Sequence, residues 1–118
     1  PLLPNCPECS NREIQKKRKQ LEFELRSEGY WTSDYDFEQI KFSEEFDKFL
    51  YDRVGRRMLG MATTGIFIRP YASVSIREYF ATGFADFYLN PNDHTNLKNS
   101  SPILYKKIVL LHNLDKSD

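Results

Sequence analysis

A chain of 118 residues with 40% apolar and 14% aromatic content can bury one hydrophobic core and has no room for a second. Its 17 basic side chains are matched by 17 acidic ones, which argues against a dedicated nucleic-acid binder, whose surface needs a clear basic excess. No apolar run reaches the roughly 20 residues that cross a bilayer, so no membrane span is expected.

Residues 1–10 read as an extended, proline-punctuated arm carrying Cys6 and Cys9 in a Cys-Pro-Glu-Cys sequence. One C-x-x-C is half of a zinc site, and no second pair follows. The two thiols are therefore either free or incidentally paired, or else half of a zinc knuckle completed from outside. Asn11 can cap a helix from about 12 to 28, stopped by Gly29. Ile14, Leu21 and Leu25 form its apolar stripe, and the run Lys16-Lys17-Arg18-Lys19 reads as a solvated face. Residues 30–42, rich in aromatic and acidic side chains, read as a packed loop.

Ser43 opens a second helix over 43–58, with Glu44 and Glu45 in the first turn, where the helix dipole favours negative charge. Phe46, Phe49, Leu50, Val54 and Met58 recur at helical spacing as its buried stripe. Gly60, Thr63, Thr64 and Gly65 mark a loop, and Ile66-Phe67-Ile68 is a candidate for one short strand. A third helix over 74–89 is stopped by Asn90-Pro91. Ile76, Tyr79, Phe80, Phe84, Phe87 and Tyr88 give it one broad aromatic face, with Phe80 and Phe84 expected in the core. A second stripe, Glu78, Ala81, Thr82 and Ala85, is narrow enough to admit a neighbouring element. Residues 90–100 read as a polar loop, and Ser101-Pro102 begins a last helix over 102–113. The expected fold class is mainly α: one helical domain over 11–118 behind the arm, with at most one short strand.

The segment Tyr71 to Leu89, with Glu78-Tyr79-Phe80-Ala81 at its centre, resembles the second metal helix of anthrax lethal factor-like zinc metallopeptidases. The likeness is close over 71–89 and loose over 43–114, where Asn90-Pro91 and Ser101-Pro102 also fit. In that family an H-E-x-x-H helix supplies two imidazole ligands and the general base. A glutamate on a later helix supplies the third ligand, and a tyrosine seven residues before it faces the substrate carbonyl. The resemblance therefore implies a zincin-like fold, with Glu78 as metal ligand and Tyr71 as catalytic tyrosine. Thr82 departs from the pattern, which has an acid there, and no H-E-x-x-H occurs in the chain. His94 and His112 are its only histidines. Zinc and peptide-bond hydrolysis are thus expected only if that helix comes from outside, from an upstream part of the same polypeptide or from a partner chain.

A reading without metal stands beside this one. Ser75-Ile-Arg-Glu78 is itself a capping box, in which serine and glutamate satisfy first-turn amides. The chain would then be a structural or assembly protein that keeps the fold without the metal site, such as a virion component. Virion and secreted locations both remain open.

Overall fold

The protein is described by a computed structural model, for the backbone over residues 7–116 and for side-chain surroundings over 11–114. The fold is helical as expected, and no strand forms among the described residues. Helix α1 (Pro7–Ser27) is followed by α2 (Glu44–Lys48), which continues through a π-helical turn at Phe49–Val54 into α3 (Gly55–Thr63). A 3-10 turn at Pro70–Ser73 leads to α4 (Ile76–Leu89), α5 (Thr95–Ser100) and α6 (Pro102–Lys116). None of these helices is long and apolar enough to cross a membrane.

Helix α1 lies against α3, α4, α6 and the 3-10 turn. Its backbone is already helical at Pro7, so residues 7–10 are not the extended arm expected there. Proline is tolerated in that first turn because its missing N–H would lack an intrahelical partner anyway. Cys6 lies outside the described residues, and Cys9 falls in the first turn of α1.

Gly29 ends the helix as expected. The Tyr30 N–H donates to Leu25 O at 3.0 Å and the Gly29 N–H to Arg26 O at 3.0 Å, while Gly29 sits at φ +93°. This paired closure needs a left-handed residue, a conformation that costs glycine nothing.

The buried stripe of α1 is Ile14, Arg18, Leu21 and Leu25, so Arg18 is not on the solvated face. It occupies the i+4 place that the apolar pattern leaves vacant. Its guanidinium lies 4.0 Å from the centre of the Phe46 ring and donates to Gln39 O. Burial pushes its pKa down to about 10, with the Asp36 charge opposing, so Arg18 stays cationic at neutral pH. Its long stem packs like a hydrophobe while stacking partly replaces the water lost by the head group. Lys17, also part-buried, donates to the carbonyls of Ile66 and Ser100.

Ser43 caps α2 by accepting from the Phe46 N–H at 3.3 Å. The second helix does not run straight to residue 58. It breaks at Gly55, at φ +85°, and resumes to Thr63, so Gly60 and Thr63 are helical. The irregular segment before α2 is packed as expected: Tyr35 stacks on Phe49 at 4.2 Å, and Phe37 meets Phe46 edge-on at 5.0 Å. Such pairs contribute about 0.5–1.5 kcal/mol beyond their buried area. Ile66–Ile68 forms turns and bends instead of a strand, because Ile66 and Phe67 both donate to Thr63 O.

Helix α4 packs on α6 through Tyr79, Gly83 and Phe87; Phe80 and Phe84 are only half-buried, at the edge of the core. Residues 95–100, expected within a loop, form a short helix with Leu97 fully buried beneath it. Asp93 nucleates that turn by accepting from the Thr95 N–H at 3.0 Å. This bond and a second one to Thr95 hold the Asp93 carboxyl below its usual range.

Candidate functional site

Ser75 stands in extended backbone at φ −163° and accepts from the Glu78 N–H at 3.3 Å, so it caps α4. The reciprocal bond, from the Ser75 N–H to the Glu78 carboxylate, does not form. Instead the Ile76 N–H donates to Ile40 O at 2.6 Å, tying the helix start to the loop before α2. The half-buried Glu78 carboxylate therefore has no hydrogen bond or ion pair among the described residues.

The 3-10 turn carries Tyr71, whose hydroxyl feels the charge of this carboxylate. Tyr71 is 43% exposed, and its ring lies 5.7 Å from that of Tyr51 on the π-helical turn, at 51°. The two rings border an open cleft of about 790 Å³, also lined by Asp47, Asp52, Arg56 and Arg69. Burial, followed by the charges of Glu78 and Asp47, raises the Tyr71 pKa. Burial likewise pushes Tyr51 up to about 12, reinforced by Tyr71, Asp47 and Glu78 and opposed by Arg56. Both phenols thus remain protonated donors at neutral pH. Tyr71 and Glu78, named from the sequence, share one electrostatic neighbourhood; Tyr51 and Asp47, which join them, lie within the second predicted helix and carry no role in the sequence reading.

Thr82 donates to Glu78 O at 2.8 Å and Tyr79 O at 3.1 Å, so its hydroxyl is directed to the helix backbone. Ala81 and Ala85 lie exposed, so the small-residue stripe is uncovered at those two positions, while Glu78 and Thr82 are half-buried. His94 and His112 belong elsewhere: His94 stacks on Phe87 at 4.2 Å, and His112 meets the Tyr88 hydroxyl at 3.2 Å. Among the described residues, no three His, Cys, Asp or Glu side chains group closely enough to hold a metal ion.

A second polar cluster was not foreseen from sequence. Glu13 on α1 is buried and accepts from the Ile103 N–H at 2.8 Å and the Leu104 N–H at 3.1 Å, capping α6 from another helix. The Tyr79 hydroxyl lies 2.6 Å from the same carboxylate and 2.9 Å from Ser101 Oγ. Burial, then the Glu13 charge, pushes Tyr79 far above the normal tyrosine range. With its polar partners satisfied internally, this cluster holds α1, α4 and α6 together and offers a ligand little.

These shifts fix the sign of the alkaline response. An unfolded tyrosine ionises near pH 10, whereas Tyr79 and Tyr51 resist ionisation in the folded state. Above pH 10 the unfolded chain therefore binds fewer protons, and stability falls as pH rises. The contribution is complete below pH 10 and, for Tyr51, is lost through about pH 12. Urea melts between pH 8 and 11.5 should show this decline, and Tyr79→Phe should flatten it. An unchanged slope in that variant would remove Tyr79 as its source.

In comparisons with known proteins, no family model matches this chain, and no curated protein or solved structure is significantly similar to it.

Proposed function

We propose that this chain supplies the carboxylate ligand and the carbonyl-facing tyrosine of a zinc peptidase domain, completed by an H-E-x-x-H helix from outside residues 1–118. The observation carrying this reading is the uncommitted Glu78 carboxylate: the Ser75 cap uses the Glu78 backbone amide and leaves the side chain without a partner among the described residues, within electrostatic reach of Tyr71. A carboxylate is a chemically suitable third ligand for zinc, and two imidazoles would have to come from the completing helix. When bound, the metal would supply Lewis acidity to the scissile carbonyl. On this chain Glu78 would hold the ion, and the protonated Tyr71 hydroxyl would donate to the developing oxyanion. The exposed Ala81 and Ala85 leave room for the completing helix to approach α4.

The test uses the longer polypeptide or the assembled complex. Glu78→Gln should release zinc, measured by elemental analysis, whereas Tyr71→Phe should keep the metal and lower kcat about 10²–10³-fold. Full zinc retention in Glu78→Gln would overturn the assignment.

A second reading rests on Thr82, whose hydroxyl is bonded to the helix backbone where the family pattern has an acid. On that reading the chain is a structural or assembly protein, such as a virion component, and the open stripe receives a partner helix. Zinc-free assemblies that form equally well with Glu78→Gln would favour it.

A further inference from the structure

We propose that the groove between α1 and the α5–α6 junction binds a phosphate group, free or as a small phosphomonoester, through Lys16, Lys17 and Asn99. The groove is open, with a volume of about 460 Å³, and its lining carries three cations, Arg12, Lys16 and Lys17, against the single carboxylate of Glu13. That carboxylate is not free to neutralise them. It is buried and already accepts from the Ile103 and Leu104 amides and the Tyr79 hydroxyl. Arg12, Lys16 and Gln20 stand at i, i+4 and i+8 on α1, which sets them in one column along the groove. Like charges in such a column repel, and an anion held against them removes the repulsion. Lys16 and Asn99 are exposed, and neither side chain has a hydrogen bond or ion pair among the described residues.

Lys17 gives the site a fixed point. Its half-buried ammonium donates to Ile66 O at 2.6 Å and to Ser100 O, which pins the charge at the groove wall. An ammonium has three donors, so one N–H remains for a ligand. Burial lowers the Lys17 pKa, with the Glu13 charge opposing, so the ammonium lacks part of the hydration that an anion would replace. A phosphate group presents three terminal acceptor oxygens, enough to meet Lys16, Lys17 and the Asn99 amide together. The amides that begin α6 take no part, since Glu13 occupies them. The groove shares no residue with the Tyr71 cleft and needs no metal, so this site and the zinc reading stand or fall separately.

The experiment titrates the chain with inorganic phosphate, glycerol phosphate and sodium chloride at matched ionic strength, followed by amide and side-chain NMR shifts. It is run at about pH 7.5, where a phosphomonoester is mostly dianionic. Both phosphates should shift Lys16, Lys17 and Asn99 along saturable curves, and chloride should not. The tighter of the two identifies the source of the group, free anion or ester. Lys16→Met keeps the stem, removes the charge of an exposed side chain, and should weaken phosphate about tenfold. Asn99→Ala should weaken it about threefold, since one neutral contact is lost. Lys106→Met, an exposed lysine of α6 outside the groove, should leave the affinity unchanged. Equal shifts with chloride would overturn the proposal. So would phosphate binding insensitive to both groove substitutions, or weakened as much by Lys106→Met as by Lys16→Met, which would mark diffuse surface charge.

Discussion

Glu13→Ala should lower the unfolding free energy by about 3–5 kcal/mol, the range found when one partner of a buried, hydrogen-bonded charge is removed. The substitution strips three donors of their acceptor at once: the Ile103 and Leu104 amides and the Tyr79 hydroxyl. The amides stand in the first turn of α6, where no intrahelical carbonyl is available to them. Tyr79 keeps Ser101 as a neighbour, so Tyr79→Phe should cost less than Glu13→Ala. Glu13→Gln retains an acceptor oxygen but not the charge, and should fall between alanine and the native protein. Urea melts at neutral pH measure all three, and a loss below about 1 kcal/mol for Glu13→Ala would show that water replaces the carboxylate. Against a typical total of about 5–15 kcal/mol, that is a large fraction of the stability for one side chain.

The second large effect is expected where α4 crosses α6. A Cβ at Gly83 would lie 2.5 Å from Leu104 Cδ2 and 3.3 Å from Ile108 Cδ1, and both leucine and isoleucine are fully buried. Leu104→Ala should cost about 2–5 kcal/mol through lost burial and a residual cavity. Gly83→Ala adds one methyl to a filled space, at about 1–3 kcal/mol, offset by about 1 kcal/mol of improved helix propensity. The double variant tests the geometry. The added methyl occupies part of the space vacated by Leu104, so the combined loss should be smaller than the sum of the two by about 1 kcal/mol or more. Additivity within about 0.5 kcal/mol would mean that the helices do not meet there.

Periodicity and capping chemistry made most of the helices legible. Ser43 and Ser75 both cap as expected, and Gly29 closes α1. The failures have separate physical causes. Arg18 stands at a core position, but an arginine in a run of four basic residues reads as surface, and only a facing aromatic ring makes its burial tolerable. The break at Gly55 is local backbone geometry within an apolar pattern that continues unbroken across it. Leu97 alone could not announce α5, since one buried leucine in a six-residue helix sets no period. Of the candidate site, Tyr71 and Glu78 were singled out only through the resemblance to a family pattern. Tyr51 and Asp47 were not, because they reach the cleft from the π-helical turn and from α2, which together read as one ordinary amphipathic helix. Glu13 was invisible for a further reason: its partners lie 66, 90 and 91 residues away, beyond any local pattern.

That separation also bears on how the chain is made. Helix α1 cannot complete its polar contacts until residues 103 and 104 exist, 90 and 91 positions after Glu13. At a ribosomal rate of about 5–20 residues per second, the delay is roughly 5–18 s, far longer than the microseconds in which an isolated helix forms and melts. During that interval α1 lacks the α6 part of its packing surface, and the Glu13 carboxylate is still held by water. Synthesis of α6 is therefore the event that lets α1 complete its buried polar contacts.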